Sequence, residues 1–157
     1  GSGVRDFEGV GMQIDLVDSE AAAPGALMAA ALAVEGFCLR RAEAVTGVHG
    51  LGPTAAVIYR TLCVAAVSGS GEADAEGGLR WVSRTSLAES CGLPRETVRR
   101  KCEVLVEAGL IHGDRVRGVT PKREALAASL GPGSWDTLIR DLRHLTDALH
   151  RLGVLKA

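Results

Sequence analysis

The stretch Ser83–Leu110, SRTSLAESCGLPRETVRRKCEVLVEAGL, constrains the fold more than any other part of the chain. Its spacing predicts two helices joined by a tight turn. The first is short and closes on Leu87, Ala88 and Cys91. Gly92 can take the positive φ that a chain reversal demands, and Leu93 plugs the corner. Pro94 presets φ where the second helix begins, at a point where a missing N–H costs nothing. From there Val98, Cys102 and Leu105 recur at i, i+4 and i+7, which makes one buried stripe. Thr97, Arg99, Arg100 and Lys101 are left on other faces, most of them open to solvent. Gly109 stops the helix, and Leu110-Ile111 begins an extended segment. A helix this basic over its N-terminal half has an acidic surface as its natural partner, and the DNA major groove is one.

The flanks extend the pattern. Leu79-Arg80-Trp81-Val82 reads as a short strand, with Trp81 a packing anchor rather than a base-stacking ring. Ser83 is placed to cap the helix Arg84–Cys91. Beyond Leu110-Ile111, residues His112–Thr120 read as a tight hairpin. Gly113-Asp114 supplies its turn, and Val116 and Val119 belong to the returning strand. Arg115 and Arg117 alternate with Val116 and so share a side.

The runs Leu87-Ala88-x3-Gly92-Leu93, Arg95-Glu96-Thr97-Val98-Arg99-Arg100 and Leu105-x3-Gly109-Leu110-Ile111 resemble the winged helix-turn-helix of bacterial transcriptional regulators. They are similar to those of the GntR and MarR type. The resemblance covers residues 79–123 and implies sequence-specific binding of double-stranded DNA by a homodimer. A recognition helix over 95–108 would enter the major groove, presenting Arg95, Glu96, Thr97, Arg99 and Arg100, with Lys101 on phosphate. Arg can fork to guanine, Thr can touch a thymine methyl, and Glu96 can accept from cytosine N4. Successive positions turn by roughly 100°, so not all five can read bases. The N-terminal amides of the first helix, with Ser83, Arg84 and Ser86, would meet a backbone phosphate. The wing over 112–120 would bring Arg115 and Arg117 to the minor groove or its phosphates. Two departures are visible: Pro94 stands where such regulators usually carry a Ser or Thr cap, and Lys101 where an aliphatic is common.

Charge is distributed accordingly. The chain as a whole is at −1, yet residues 79–123 hold ten Lys/Arg against five Asp/Glu, a local excess of +5. An apolar fraction of 46% with 24% charged fits one globular domain with helical extensions, while only 3% aromatic residues favours helices packed through Ala, Leu and Val. Cys38, Cys63, Cys91 and Cys102 lack metal-ligand spacing and the four His are scattered, so no metal or cofactor is expected. Three of the cysteines fall in apolar helical patterns, as small buried hydrophobes do. Thiol control through Cys91 or Cys102 stays open beside simple packing. With no signal peptide and no apolar run long enough for a membrane, the expected compartment is the cytoplasm. Gly1-Ser2-Gly3 resembles a cloning remnant.

Residues 1–23 read as a loosely ordered acidic arm, or as a short strand at Met12–Leu16. Residues 24–68 read as a helical scaffold. Its first helix, Pro24–Thr46, turns inward Leu27, Ala31, Val34, Cys38, Ala42 and Val45, widened by Met28, Leu32 and Leu39. It is either central to the monomer or shared across a two-fold axis. Gly47–Gly52 is a break. Pro53–Ser68 is a second helix, with Val57, Ile58, Thr61, Leu62, Ala65 and Ala66 inward. Ser68–Gly78 is a flexible acidic loop that phosphate would avoid. Residues 124–157 complete the chain. A short helix runs from Lys122 to Leu130, Gly131-Pro132-Gly133 breaks it, and Ser134 caps a long last helix. On that helix Trp135, Leu138, Leu142, Leu145, Leu149 and Leu152 form a heptad seam, with Asp141 on the soluble outer face. The seam packs on the first helix or pairs across a dimer, and the resemblance favours the dimer.

The fold class expected is therefore mainly α: a winged helix-turn-helix with a small β-wing and flanking N- and C-terminal helices. No nucleophile triad, HExxH, GxSxG or Walker pattern occurs, and the expected role is not enzymatic. Two other readings stand beside DNA-binding regulation. One is a winged-helix module for protein contacts alone, and the other a repressor responsive to a small-molecule effector that nothing in the sequence identifies.

Overall fold

The computed structural model describes residues 16–18, 20–130 and 132–156. Residues 1–15, which hold most of the expected acidic arm and most of the strand expected at Met12–Leu16, lie outside the described residues. Six helices and one antiparallel strand pair make up the described chain: α1 (Pro24–His49), α2 (Pro53–Ser68), α3 (Arg84–Cys91), α4 (Arg95–Glu107), β1 (Ile111–Asp114), β2 (Gly118–Pro121), α5 (Arg123–Leu130) and α6 (Pro132–Arg151). The protein is mainly helical with one small sheet. It divides into two compact units, Arg41–Leu138 and the remainder, so the division falls inside α1 and inside α6 rather than in a loop.

In the unit Arg41–Leu138 the core is built on α2, whose Ile58, Tyr59 and Leu62 are almost fully enclosed. Leu87 and Ala88 of α3 and Val98, Cys102 and Leu105 of α4 close onto it, with Ile111 and Val119 from the strands. The stripe expected on α4 is thus the buried one. Removal of side chains of this size from water, at about 25 cal/mol per Å² of apolar surface, is what holds the helices together. Tyr59 escaped the sequence reading, while Val57, expected inward, is exposed. Burial raises the Tyr59 phenol well above its ordinary value and pushes the neighbouring Cys63 thiol up to about 11.

The α3–α4 corner forms as its residues dictate. Ser83 caps α3, its hydroxyl accepting from the Ser86 N–H at 3.0 Å. Gly92 sits in the left-handed region, and its N–H is satisfied by the Ala88 and Glu89 carbonyls. Pro94 is the residue before α4 rather than its first helical residue, and it provides no side-chain cap. Strands β1 and β2 pair with Ile111 opposite Pro121 and Asp114 opposite Gly118. Val82 bridges Val119 through two backbone hydrogen bonds of 2.8 Å, so the segment before α3 adds a third edge to the pair.

Several expectations are corrected. The hairpin turn is Arg115–Arg117, not Gly113-Asp114, because the Asp114 carboxylate accepts from the Val116 and Arg117 N–H groups, each at 2.8 Å. Val116 is therefore the exposed tip rather than part of the returning strand, Pro121 ends β2, and α5 starts at Arg123 rather than Lys122. Helix α1 continues through Gly47 to His49, and Ala31, Val34 and Cys38, expected inward, are exposed while Ala30 is buried. Of the four cysteines Cys102 is enclosed, Cys63 and Cys91 are half-buried and Cys38 is exposed. The acidic loop is pinned rather than loose: Arg123 Nη2 donates to both carboxylate oxygens of Asp74 at 2.9 Å, and Ala73 bridges Arg80. Helix α6 begins at Pro132, so Ser134 lies within it rather than at its cap position.

The second unit holds α1 up to Arg40, α6 from Ile139, and an antiparallel bridge between Leu16 and Leu155. Asp141, expected outside, is buried and lies 3.6 Å from Arg40. Met28 (69% exposed), Leu32 and Leu39 leave one face of α1 uncovered. Along the heptad seam Leu145, Leu149 and Leu152 are half-buried and Leu142 is exposed. Trp135 is exposed and Leu138 half-buried within the larger unit.

Candidate nucleic-acid interface

The residues singled out for DNA contact all belong to the unit Arg41–Leu138, and α3, α4 and the hairpin carry them. On α4, Arg95, Glu96, Arg99 and Arg100 are exposed, and Thr97 and Lys101 are half-buried. With Val98, Cys102 and Leu105 facing the core, the outermost strip is left to Glu96, Arg100, Glu103 and Glu107. The helix is thus basic in its first two turns and acidic in its last two, which confines any attraction for a polyanion to its N-terminal end.

A network of ion pairs organises that end. Glu96 grips Arg99 in a two-point fork, Nε to Oε2 at 2.9 Å and Nη2 to Oε1 at 2.7 Å. Arg99 Nη1 reaches Glu103 Oε1 at 2.7 Å, and Arg100 Nε donates to Glu96 Oε1 at 3.1 Å. The Arg99 hydrogen bonds, with help from Arg100, draw the Glu96 carboxyl down to about 2. The i, i+3 and i, i+4 spacing of these residues is visible in the sequence, and it turns Glu96 and Glu103 to the arginines rather than Glu96 to a base edge.

At the start of α3, Ser83, Thr85 and Ser86 are exposed, and Arg84 is half-buried. Arg84 Nη1 donates to the Asp114 carbonyl at 3.1 Å, tying α3 to the hairpin. The two hairpin arginines, expected to act alike, differ. Arg115 is exposed at the turn, whereas the Arg117 guanidinium lies 4.3 Å from the Trp81 ring centre and 3.3 Å from Asp114 Oδ2. Trp81 therefore braces the hairpin from below. Backbone N–H groups of Arg117 and Val116, followed by the Arg117 side chain, hold the Asp114 carboxyl below its ordinary value.

Among the described residues no cluster of three His, Cys, Asp or Glu side chains could hold a metal ion, and no single helix is long and apolar enough to cross a membrane. A cavity of about 190 Å³ opens beside Tyr59, Cys63 and Ser129. No protein-family model, curated protein or solved structure matches this chain.

Proposed function

We propose that this protein is a winged helix-turn-helix regulator of transcription that binds double-stranded DNA as a homodimer. The observation that carries the reading is the arrangement of α3, its left-handed Gly92 corner and the basic first turns of α4 beside a β hairpin bridged to Val82. A helix cornered in this way projects its N-terminal side chains from the body, as groove insertion requires. Arg95, Thr97, Arg99 and Arg100 are the base-reading candidates, Lys101, Ser83, Arg84 and Ser86 the backbone contacts, and Arg115 leads Arg117 at the wing.

The dimer is supported by large apolar side chains that stand exposed among the described residues: Met28, Leu32 and Leu39 on α1, and Ile139 and Leu142 on α6. A second reading has its own observation. Because Arg99 and Arg100 already hold carboxylates, the same face suits a protein partner without DNA.

Selection of bound duplexes from a random pool discriminates the two. A two-fold symmetric site with steeply salt-dependent affinity supports the regulator. Arg99→Ala and Arg100→Ala are each expected to lose roughly 1–3 kcal/mol of specific binding. Unchanged affinity in both at moderate salt would sink this reading surface.

A further inference from the structure

Glu96 is the acidic residue at the heart of the basic end of α4, and a plain electrostatic view would make it a defect. Its geometry says otherwise. A carboxylate that merely happened to lie near two arginines would take one contact from each, and both side chains would keep their rotamer freedom. Here the fork to Arg99 fixes the plane of the guanidinium, and Glu103 secures its other terminal nitrogen from the next turn. A guanidinium has five N–H donors, so with one spent on each of these three contacts about two remain. They are one on each terminal nitrogen. Two N–H donors are what a guanine O6/N7 edge accepts.

We propose that Glu96 is a positioning residue for DNA reading: braced through Arg99 by Glu103, it holds the Arg99 fork ready for a base edge and withholds the charge of Arg99 and Arg100 from phosphates of any sequence. The proposal rests on the regulator reading and adds to it a source of specificity. Two effects of Glu96 act in opposite senses. Its negative charge weakens attraction to every duplex alike. Its grip removes the ordering cost that a long, rotamer-rich side chain otherwise meets on binding, and that gain is realised only on the correct sequence. The carboxylate is itself nearly filled, since Oε1 accepts from Arg99 and Arg100 and Oε2 from Arg99. Glu96 is therefore reassigned from cytosine contact to the support of its neighbours.

The test uses the full chain, a duplex enriched from a random pool by the unaltered protein, and a shuffled duplex of the same composition. Affinities are compared by fluorescence anisotropy at matched salt, with far-UV circular dichroism as a check on folding. Glu96→Gln keeps the shape and drops the charge. It is expected to bind the shuffled duplex more tightly, while the ratio of specific to shuffled affinity falls roughly three- to tenfold. Glu96→Asp keeps the charge but is too short to hold both arginines. Its affinity for the shuffled duplex should stay near that of the unaltered protein, and its ratio should still fall. A residue with a merely structural role would lower both affinities together and leave the ratio alone. An unchanged or increased ratio in Glu96→Gln overturns the proposal while the regulator reading stands. Failure of the unaltered protein to enrich any sequence overturns both.

Discussion

Replacement of Gly118 by Ala separates two costs that usually arrive together. Gly118 opens β2 at φ +102°, and a Cβ built there would collide with the Val82 carbonyl oxygen, with the Val82 carbonyl carbon at 2.8 Å and Ser83 Cα at 2.9 Å. All three are backbone atoms of the segment that bridges Val119 and caps α3, so none can swing aside. The strained φ costs an L residue about 1–2 kcal/mol. Forcing a methyl group into packed backbone adds about 1–3 kcal/mol. The loss expected for Gly118→Ala is then about 2–5 kcal/mol, with Tm falling roughly 2–4 °C for each kcal/mol in a chain of this size. Gly77 supplies the control: its φ is +82° but nothing lies within 4 Å of the added methyl, so Gly77→Ala should show the first cost alone. Urea unfolding followed by tryptophan emission and by circular dichroism measures both, provided the two probes coincide. Equal losses in the two variants would refute the argument that Gly118 is required by the close approach of Val82.

Three further outcomes are expected. Ser83→Ala should destabilise by about 1 kcal/mol in the same urea assay, with Ser83→Thr close to the unaltered protein, because only the hydroxyl that accepts from Ser86 is at stake. The Glu96 carboxyl, lowered from 4.5 to about 2, should give an NMR titration midpoint near 2, whereas a midpoint near 4.5 would mean the fork to Arg99 does not persist. Because its folded value is depressed, Glu96 contributes stability in full above pH 4.5 and loses that contribution as pH falls through 2. Arg115→Ala should reduce the slope of log affinity against log salt by about one without loss of stability, whereas Arg117→Ala should also lower Tm, since it removes the stack on Trp81.

What the sequence disclosed follows the range of the forces involved. The α3–α4 corner was legible because Ser83, Gly92, Gly109 and the Val98–Cys102–Leu105 stripe act on neighbours within a turn or two. The inward face of α1 was not. A helix apolar over more than half its girth offers several equivalent stripes, and only partners distant in the chain select among them. Asp141 is the sharper case: nothing near it in sequence marks it as buried, because its partner Arg40 lies a hundred residues away. The hairpin turn lies two residues further on than the sequence suggests, because Gly113-Asp114 has the composition of a turn. Asp114 in fact organises the turn from its first position, and the residue that needs a positive φ is Gly118. In the candidate interface, basic side chains were identified one at a time, although their spacing to Glu96 and Glu103 already coded for pairs.

Under the regulator reading, the division of α4 into a basic beginning and an acidic end would limit how much information one copy extracts from DNA. Glu103 and Glu107 repel the phosphate walls of a groove, so under the regulator reading the helix enters by its tip and stops there. A tip that reads only a few base pairs would find matches throughout any genome, and the surplus of decoys would not be overcome by binding more tightly. Discrimination would then come from requiring two such words at a fixed spacing. The same two glutamates that limit the reach of a single copy would thereby make address length a property of the pair.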